Sequence, residues 1–119
     1  MTGQRPWPLE LRLDKDKKTL TVAFDTGDNF ALAAEYLRVE SPSAEVQGHG
    51  AATKQIVPGK HAVRIEAIEP VGNYAVRLRF DDGHDTGLFS WDYLHELGSQ
   101  HRQKWAAYLA ALKQRGLER

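Results

Sequence analysis

Four stretches of the chain alternate apolar and polar residues with a period of two. Leu9, Leu11 and Leu13 enclose Glu10 and Arg12, and Leu20, Val22 and Phe24 enclose Thr21 and Ala23. Val63, Ile65 and Ala67 enclose Arg64 and Glu66, and Tyr74, Val76, Leu78 and Phe80 enclose Ala75, Arg77 and Arg79. Such alternation predicts strands with one buried and one wet face, which suits antiparallel sheets. Asp14-Lys15-Asp16-Lys17-Lys18 joins the first pair and Pro70-Val71-Gly72-Asn73 the second, so both pairs read as hairpins. The spacing then becomes helical. Trp91, Leu94 and Leu97 predict a short helix broken at Gly98; Trp105, Tyr108, Leu109 and Leu112 predict a second, with Ser99 as N-cap and Gly116 as stop. The predicted class is α+β, an antiparallel sheet of hairpins with short helices and a C-terminal helix packed by Trp105, Leu109 and Leu112.

The two hairpins are followed by similar segments. Phe24-Asp25-Thr26-Gly27-Asp28 precedes Glu35-Tyr36-Leu37, and Phe80-Asp81-Asp82-Gly83-His84 precedes Asp92-Tyr93-Leu94, one residue further on. Each unit reads as strand, glycine turn, short extended piece and helical turn, with both leucines expected on one sheet. Common turn and anchor residues explain the likeness as readily as duplication does. Residues 41–60 are the least regular part and hold Pro42, Gly48, Gly50, Pro58 and Gly59. A stretch of that length is read as partly extended and as a candidate working loop.

Composition narrows the function classes. The 119 residues form one domain, with a tail at 1–7, a body at 8–97 and the C-terminal helix at 98–119. There is no cysteine, which excludes disulfides, thiolate-held clusters and a cysteine nucleophile. Sixteen basic residues balance sixteen acidic ones, so no global charge draws the chain to nucleic acid or an anionic membrane. The start lacks the apolar stretch of a signal peptide, and a cytoplasmic setting is expected. Residues 98–119 carry five Lys or Arg against one Glu, and the helix dipole accounts for Lys113, Arg115 and Arg119 at the helix end.

No phosphate-binding loop, nucleophile elbow or His-x-Asp pair occurs. His49, His61, His95 and His101 read as surface or turn residues. His84 stands out. It lies in a stretch, 81–96, with five acids and no Lys or Arg, where carboxylates favour its charged form if the ring stays wet.

Two segments carry a family pattern. They are Tyr36-Leu37-Arg38-Val39-Glu40-Ser41-Pro42-Ser43-Ala44-Glu45-Val46 and Gly83-His84-Asp85-Thr86-Gly87-Leu88-Phe89-Ser90-Trp91-Asp92-Tyr93-Leu94. Over residues 8–97 the chain resembles the N-terminal domain of gamma-butyrobetaine hydroxylase, a family also called DUF971. The resemblance implies a domain that stands alone in bacteria or is fused to iron- and 2-oxoglutarate-dependent hydroxylases or to ATPases of the iron–sulfur carrier type. It also implies a structural zinc held by Cys-x-Cys-x-x-Cys and a downstream His. Those positions are Ser41, Ser43, Val46 and His84 here, and only the histidine is a zinc ligand.

The expectations are therefore these. The family zinc is lost, no metal or cofactor is held, and His84 lies against Ser41 and Ser43 in its place. The hydroxylase catalytic domain is absent, and the chain is a non-enzymatic accessory or interaction domain. Its partner is a protein, with no nucleic acid and no membrane, and it is a monomer or weak homodimer. His49, Asp82, His84, Asp85 and Asp92 mark the candidate interaction surface. Two alternatives stay open: a metal-binding protein using His84, Asp82, Asp85 and His49, and a small enzyme with His84 as general base beside Asp85 or Asp92.

Overall fold

The computed structural model describes residues 6–47 and 55–119. The chain forms two antiparallel meanders, each closed by a helix. β1 (Pro8–Leu13), β2 (Thr19–Phe24) and β3 (Asn29–Ala33) make one sheet and lead into α1 (Ala34–Val39). A short α2 (Ala44–Gln47) follows. β4 (Ile65–Val71), β5 (Ala75–Phe80) and β6 (Leu88–Ser90) make the second sheet and lead into α3 (Trp91–Ser99), and α4 (His101–Gln114) ends the fold. This is an α+β architecture with both predicted hairpins present. The strands form two three-stranded sheets rather than one, and Leu37 and Leu94, one in each of the helices α1 and α3, are both buried. They meet in a single core to which both sheets and both helices contribute.

The repeat in the sequence is a repeat in the backbone. The Phe24 amide donates to Asp28 and the Gly27 amide to Phe24; the Phe80 amide donates to His84 and the Gly83 amide to Phe80. Gly27 and Gly83 have φ of 91° and 92°, which a side chain resists. Asp25 Oδ1 accepts from the Trp7 amide and Asp81 Oδ1 from the Arg64 amide, both at 3.0 Å. The tyrosines then cross over. Tyr36 Oη donates to the Leu97 carbonyl (2.7 Å) and Tyr93 Oη to the Glu40 carbonyl (2.5 Å). Each helix thus supplies the hydroxyl that satisfies a carbonyl near the other's C-terminal end. Burial pushes both tyrosine hydroxyls well above their ordinary pKa, and the nearby Glu40 and Glu96 carboxylates push further.

Two bulges explain where strict alternation misreads the strands. Pro8 pairs with Phe24 and Glu10 with Ala23, leaving Leu9 as the extra residue. Ile65 pairs with Phe80 and Ala67 with Arg79, leaving Glu66 extra. A bulge shifts the inward phase by one. Leu9 is therefore exposed, and Ile68 rather than Ala67 packs on the core. Tyr74, expected on the inward row, lies in the hairpin turn and is exposed.

The C-terminal helix also differs in detail from its sequence reading. Ser99 does not cap it; Ser99 is the last residue of α3 and its hydroxyl donates to Glu96. Gly116 does stop it. The Gly116 amide donates to Lys113 and that of Leu117 to Leu112, with Gly116 at φ 66°. Tyr108 and Leu112 pack on Val39, whereas Leu109 is exposed. Burial, more than the neighbouring Glu35 charge, pushes the Tyr108 hydroxyl up to about 12. Arg119 does not serve the helix dipole. It returns to α1, where its Nε and one terminal nitrogen donate to the two carboxylate oxygens of buried Glu35 (3.0 and 2.7 Å).

Gly98 lies inside α3 rather than breaking it. A Cβ there would lie 2.3–2.7 Å from three atoms of the Phe30 ring. That ring is backed edge-on by Phe24 and His95, so it has little room to move. Alanine favours a helix over glycine by about 1 kcal/mol, but overpacking costs roughly 1–3 kcal/mol. Gly98→Ala is expected to destabilise the fold in denaturant titration. Phe30→Ala in the same chain should recover part of the loss, and strictly additive losses would refute the contact.

Candidate functional site

The segment after α1 and the turn after β5 meet around His84. The Phe80–His84 turn is held from inside: Asp82 Oδ1 accepts the His84 amide at 3.1 Å. Asp82 Oδ2 takes Arg38 Nε at 2.8 Å and Lys60 Nζ at 2.7 Å. These contacts aim the His84 ring at the chain leaving α1. Ser41 Oγ lies 2.9 Å from His84 Nε2 and Ser43 Oγ lies 3.4 Å from it. Gln47 Nε2 donates to the Ser41 carbonyl (2.9 Å), and the Ser43 carbonyl accepts the amides of Val46 and Gln47. Ser41, Ser43, Val46 and His84 are all buried.

Gly87 makes the room. A Cβ on it would lie 2.3 Å from Ser41 Oγ. The repeat shows what the site replaces. Leu32 opposite Leu20 matches Phe89 opposite Val76, so Phe30 is the counterpart of Gly87. Counting on from Tyr36 and Tyr93, Gly98 is the counterpart of Ser41. In one half a phenylalanine ring fills the space against a glycine. In the other the glycine is on the strand side, and the space holds a serine and an imidazole.

These four residues do not fit the zinc of the family pattern. Serine hydroxyls are not deprotonated near neutral pH, Val46 has no donor, and the one good ligand atom, His84 Nε2, is already hydrogen-bonded to Ser41. Among the described residues no group of three or more His, Asp or Glu is placed to hold a metal ion.

The expected interaction surface is not one patch. His84 is 7% exposed, so it is a core histidine and its ring does not stay wet. Asp82 is exposed through its backbone, but its side chain is 17% exposed and committed to Arg38 and Lys60. Asp85 and Asp92 are exposed. His49 lies outside the described residues. His95 is not a bare surface residue either: its ring packs on Phe24 and Phe30, and Nε2 lies 2.9 Å from Asp28 Oδ2. His101 packs on the Tyr36 ring, and His61 lies exposed beside the Arg119 carbonyl.

Asp82 carries a pH dependence. Burial alone raises its pKa, but the bonds from Lys60, the His84 amide and Arg38 outweigh it and hold the carboxyl at about 2 instead of 3.8. A depressed carboxylate stabilises the fold above its unfolded pKa, and that contribution is lost as pH falls through the folded one. Allowing for solvent screening, Asp82→Asn is expected to cost about 1–2 kcal/mol at neutral pH. The gap between wild type and variant should close as pH falls from 4 towards 2, read by urea unfolding across that range. A gap that stays constant would rule out the pairing as its source.

Sequence reasoning missed a second site, a cavity of about 220 Å³ lined by Trp7, Tyr74, Trp91, Asn73, Ser90 and Asp92. Its residues come from the N-terminal approach to β1, the β4–β5 turn and the start of α3, so no local pattern announces it.

Comparison with known proteins places this geometry. Two solution structures determined by NMR are each 49% identical to the chain. One covers 98% of this chain and 91% of its own at a TM-score of 0.85; the other covers 100% and 90% at 0.83. The crystal structure of a protein of unknown function from Acidithiobacillus ferrooxidans, a member of the DUF971 family, is 42% identical. It covers 76% of this chain and 91% of its own, with a TM-score of 0.64. No curated protein matches the chain. Among the described residues no helix is long and apolar enough to cross a membrane. Residues 11–95 match the family model described as gamma-butyrobetaine hydroxylase-like, N-terminal, and the chain belongs to that family.

Proposed function

We propose that this chain is a non-enzymatic accessory domain that works by binding a partner. The observation that carries the reading is a contrast between two sites. In the buried cluster the hydroxyls of Ser41 and Ser43 turn inward to His84 Nε2, which is what a structural plug does. Trp7 and Tyr74 are instead left 48% and 55% exposed at the edge of a cavity. Large aromatic rings held at the surface are favoured anchors of recognition, because they bring contact area at little entropic cost. The setting suggested by the family is an oxygenase or an iron–sulfur system.

The test is affinity capture from cell extract followed by mass spectrometry, comparing wild type, Tyr74→Ser and Ser41→Ala. A partner held by wild type and Ser41→Ala but lost with Tyr74→Ser supports the reading. A partner lost only with Ser41→Ala would move the working surface to the buried cluster. Turnover of a substrate by the purified chain would refute a non-enzymatic role.

A further inference from the structure

The outer strands of the two sheets differ in how they are guarded. β6 has three residues, and β4 carries a bulge, the exposed Glu66 and Pro70. β3 packs against α3 through the Phe30 ring and Gly98. Short strands, bulges, charges, prolines and covering helices are the usual means of stopping an edge from pairing. β1 has its proline and its bulge at one end, at Pro8 and Leu9. Residues 10–13 have neither, and among the described residues no strand pairs with their outer side.

The hydrogen-bond phase of β1 fixes what this edge offers. The Asp14 amide donates to the Thr19 carbonyl at 3.0 Å. Arg12 opposite Thr21 and Glu10 opposite Ala23 continue that register, so in an antiparallel ladder their main-chain groups also face β2. Leu11 and Leu13, which alternate with them, turn their N–H and C=O groups outward. The Leu11 and Leu13 side chains are half-buried against the core, whereas Glu10 and Arg12 are exposed on the other face. Among the described residues neither charge is taken by an ion pair.

We infer that this edge is a self-recognition surface, where a second copy of the chain pairs β1 against β1 about a two-fold axis at Leu11. Charge selects that register. With Leu11 opposite Leu11, Glu10 of each copy faces Arg12 of the other, twice over by symmetry. These pairs fall at the non-hydrogen-bonded positions, where side chains stand closest. Centring the pairing on Glu10 or on Arg12 would instead set like charges opposite each other. The two Leu11 residues exchange a pair of main-chain hydrogen bonds, and two three-stranded sheets become one of six. Leu11 and Leu13 of both copies then share one face, and their half-buried side chains cover one another.

The test is sedimentation equilibrium of the full chain over a concentration series, with amide hydrogen exchange read by NMR. Wild type should dimerise reversibly, and the outward Leu11 amide should gain protection as the dimer forms. Arg12→Glu sets Glu10 opposite a like charge, and Glu10→Arg does the same to Arg12. Each should weaken self-association about tenfold. Both positions are exposed, so circular dichroism and Tm should stay close to those of wild type. An equal mixture of the two variants restores the match, because one strand then carries only positive and the other only negative charge. That mixture should dimerise although neither variant does alone. The exchanged variant Glu10→Arg/Arg12→Glu should self-associate as wild type does.

A wild type that stays monomeric at about 1 mM would overturn the inference, as would dimers that both single variants leave intact. A mixture that associates no better than its components would refute the register and the inference with it. The pairing uses none of the rings at the aromatic cavity. Capture from extract that depends on Tyr74 therefore survives its failure, and the dimer survives the failure of that capture.

Discussion

Replacing Ser41, Ser43 and Val46 together by cysteine turns this chain into a zinc protein. Ser41→Cys/Ser43→Cys/Val46→Cys is expected to retain one zinc per chain in metal analysis of untagged protein. His84→Ala added to the triple variant should abolish tight retention. Two of the three substituted positions already stand close to the histidine. Zinc bonds of roughly 2.3 Å to sulfur and 2.0 Å to nitrogen hold ligand atoms about 3.5 Å apart. Ser41 Oγ and Ser43 Oγ already stand 2.9 and 3.4 Å from His84 Nε2. Zinc at a thousandfold excess over its Kd would stabilise the variant by about 4 kcal/mol, read as a large fall in Tm on chelation. The wild type should show no such fall. A triple variant that holds no zinc, or holds it equally without His84, would refute the correspondence of these positions with the family's zinc ligands.

The second large effect concerns the core. Leu37→Ala and Leu94→Ala are each expected to cost about 2–5 kcal/mol, against a total stability of about 5–15 kcal/mol for a domain of this size. Both leucines are fully buried, one in each helix that closes a meander, and both contribute to the same core. Their equivalence in the repeat predicts losses of similar size. Each should move the denaturant midpoint with little change in the slope of unfolding. A loss below about 1 kcal/mol at either position would show that the two halves do not share one core.

Much of the fold is legible in the order of residues. Both hairpins, the paired turns at Gly27 and Gly83 and the stop at Gly116 follow from periodicity and turn chemistry, which act over a few residues. The errors fall where distant chain decides. Leu9 and Ala67 leave the core because one residue in each outer strand has no partner. Gly98 reads as a helix breaker, yet it is glycine because Phe30 lies against it from another element. Arg119 reads as helix-dipole chemistry, yet it travels back to buried Glu35. The candidate site divides in the same way. Family positions brought Ser41, Ser43, Val46 and His84 together before any geometry. The aromatic cavity was invisible, because Trp7, Tyr74 and Trp91 are far apart along the chain and share no motif.

By itself the sequence determined a cysteine-free chain, its two repeated units and the loss of the thiolates that hold zinc in the family pattern. These are properties of residue identity and short-range spacing, and folding does not alter them. Only the tertiary structure decided that Ser41 and Ser43 meet the ring of a buried His84, and that three aromatic rings gather beside Asp92. Both depend on which surfaces meet when the two meanders pack. The crossed hydrogen bonds of Tyr36 and Tyr93 tie that packing together across more than fifty residues.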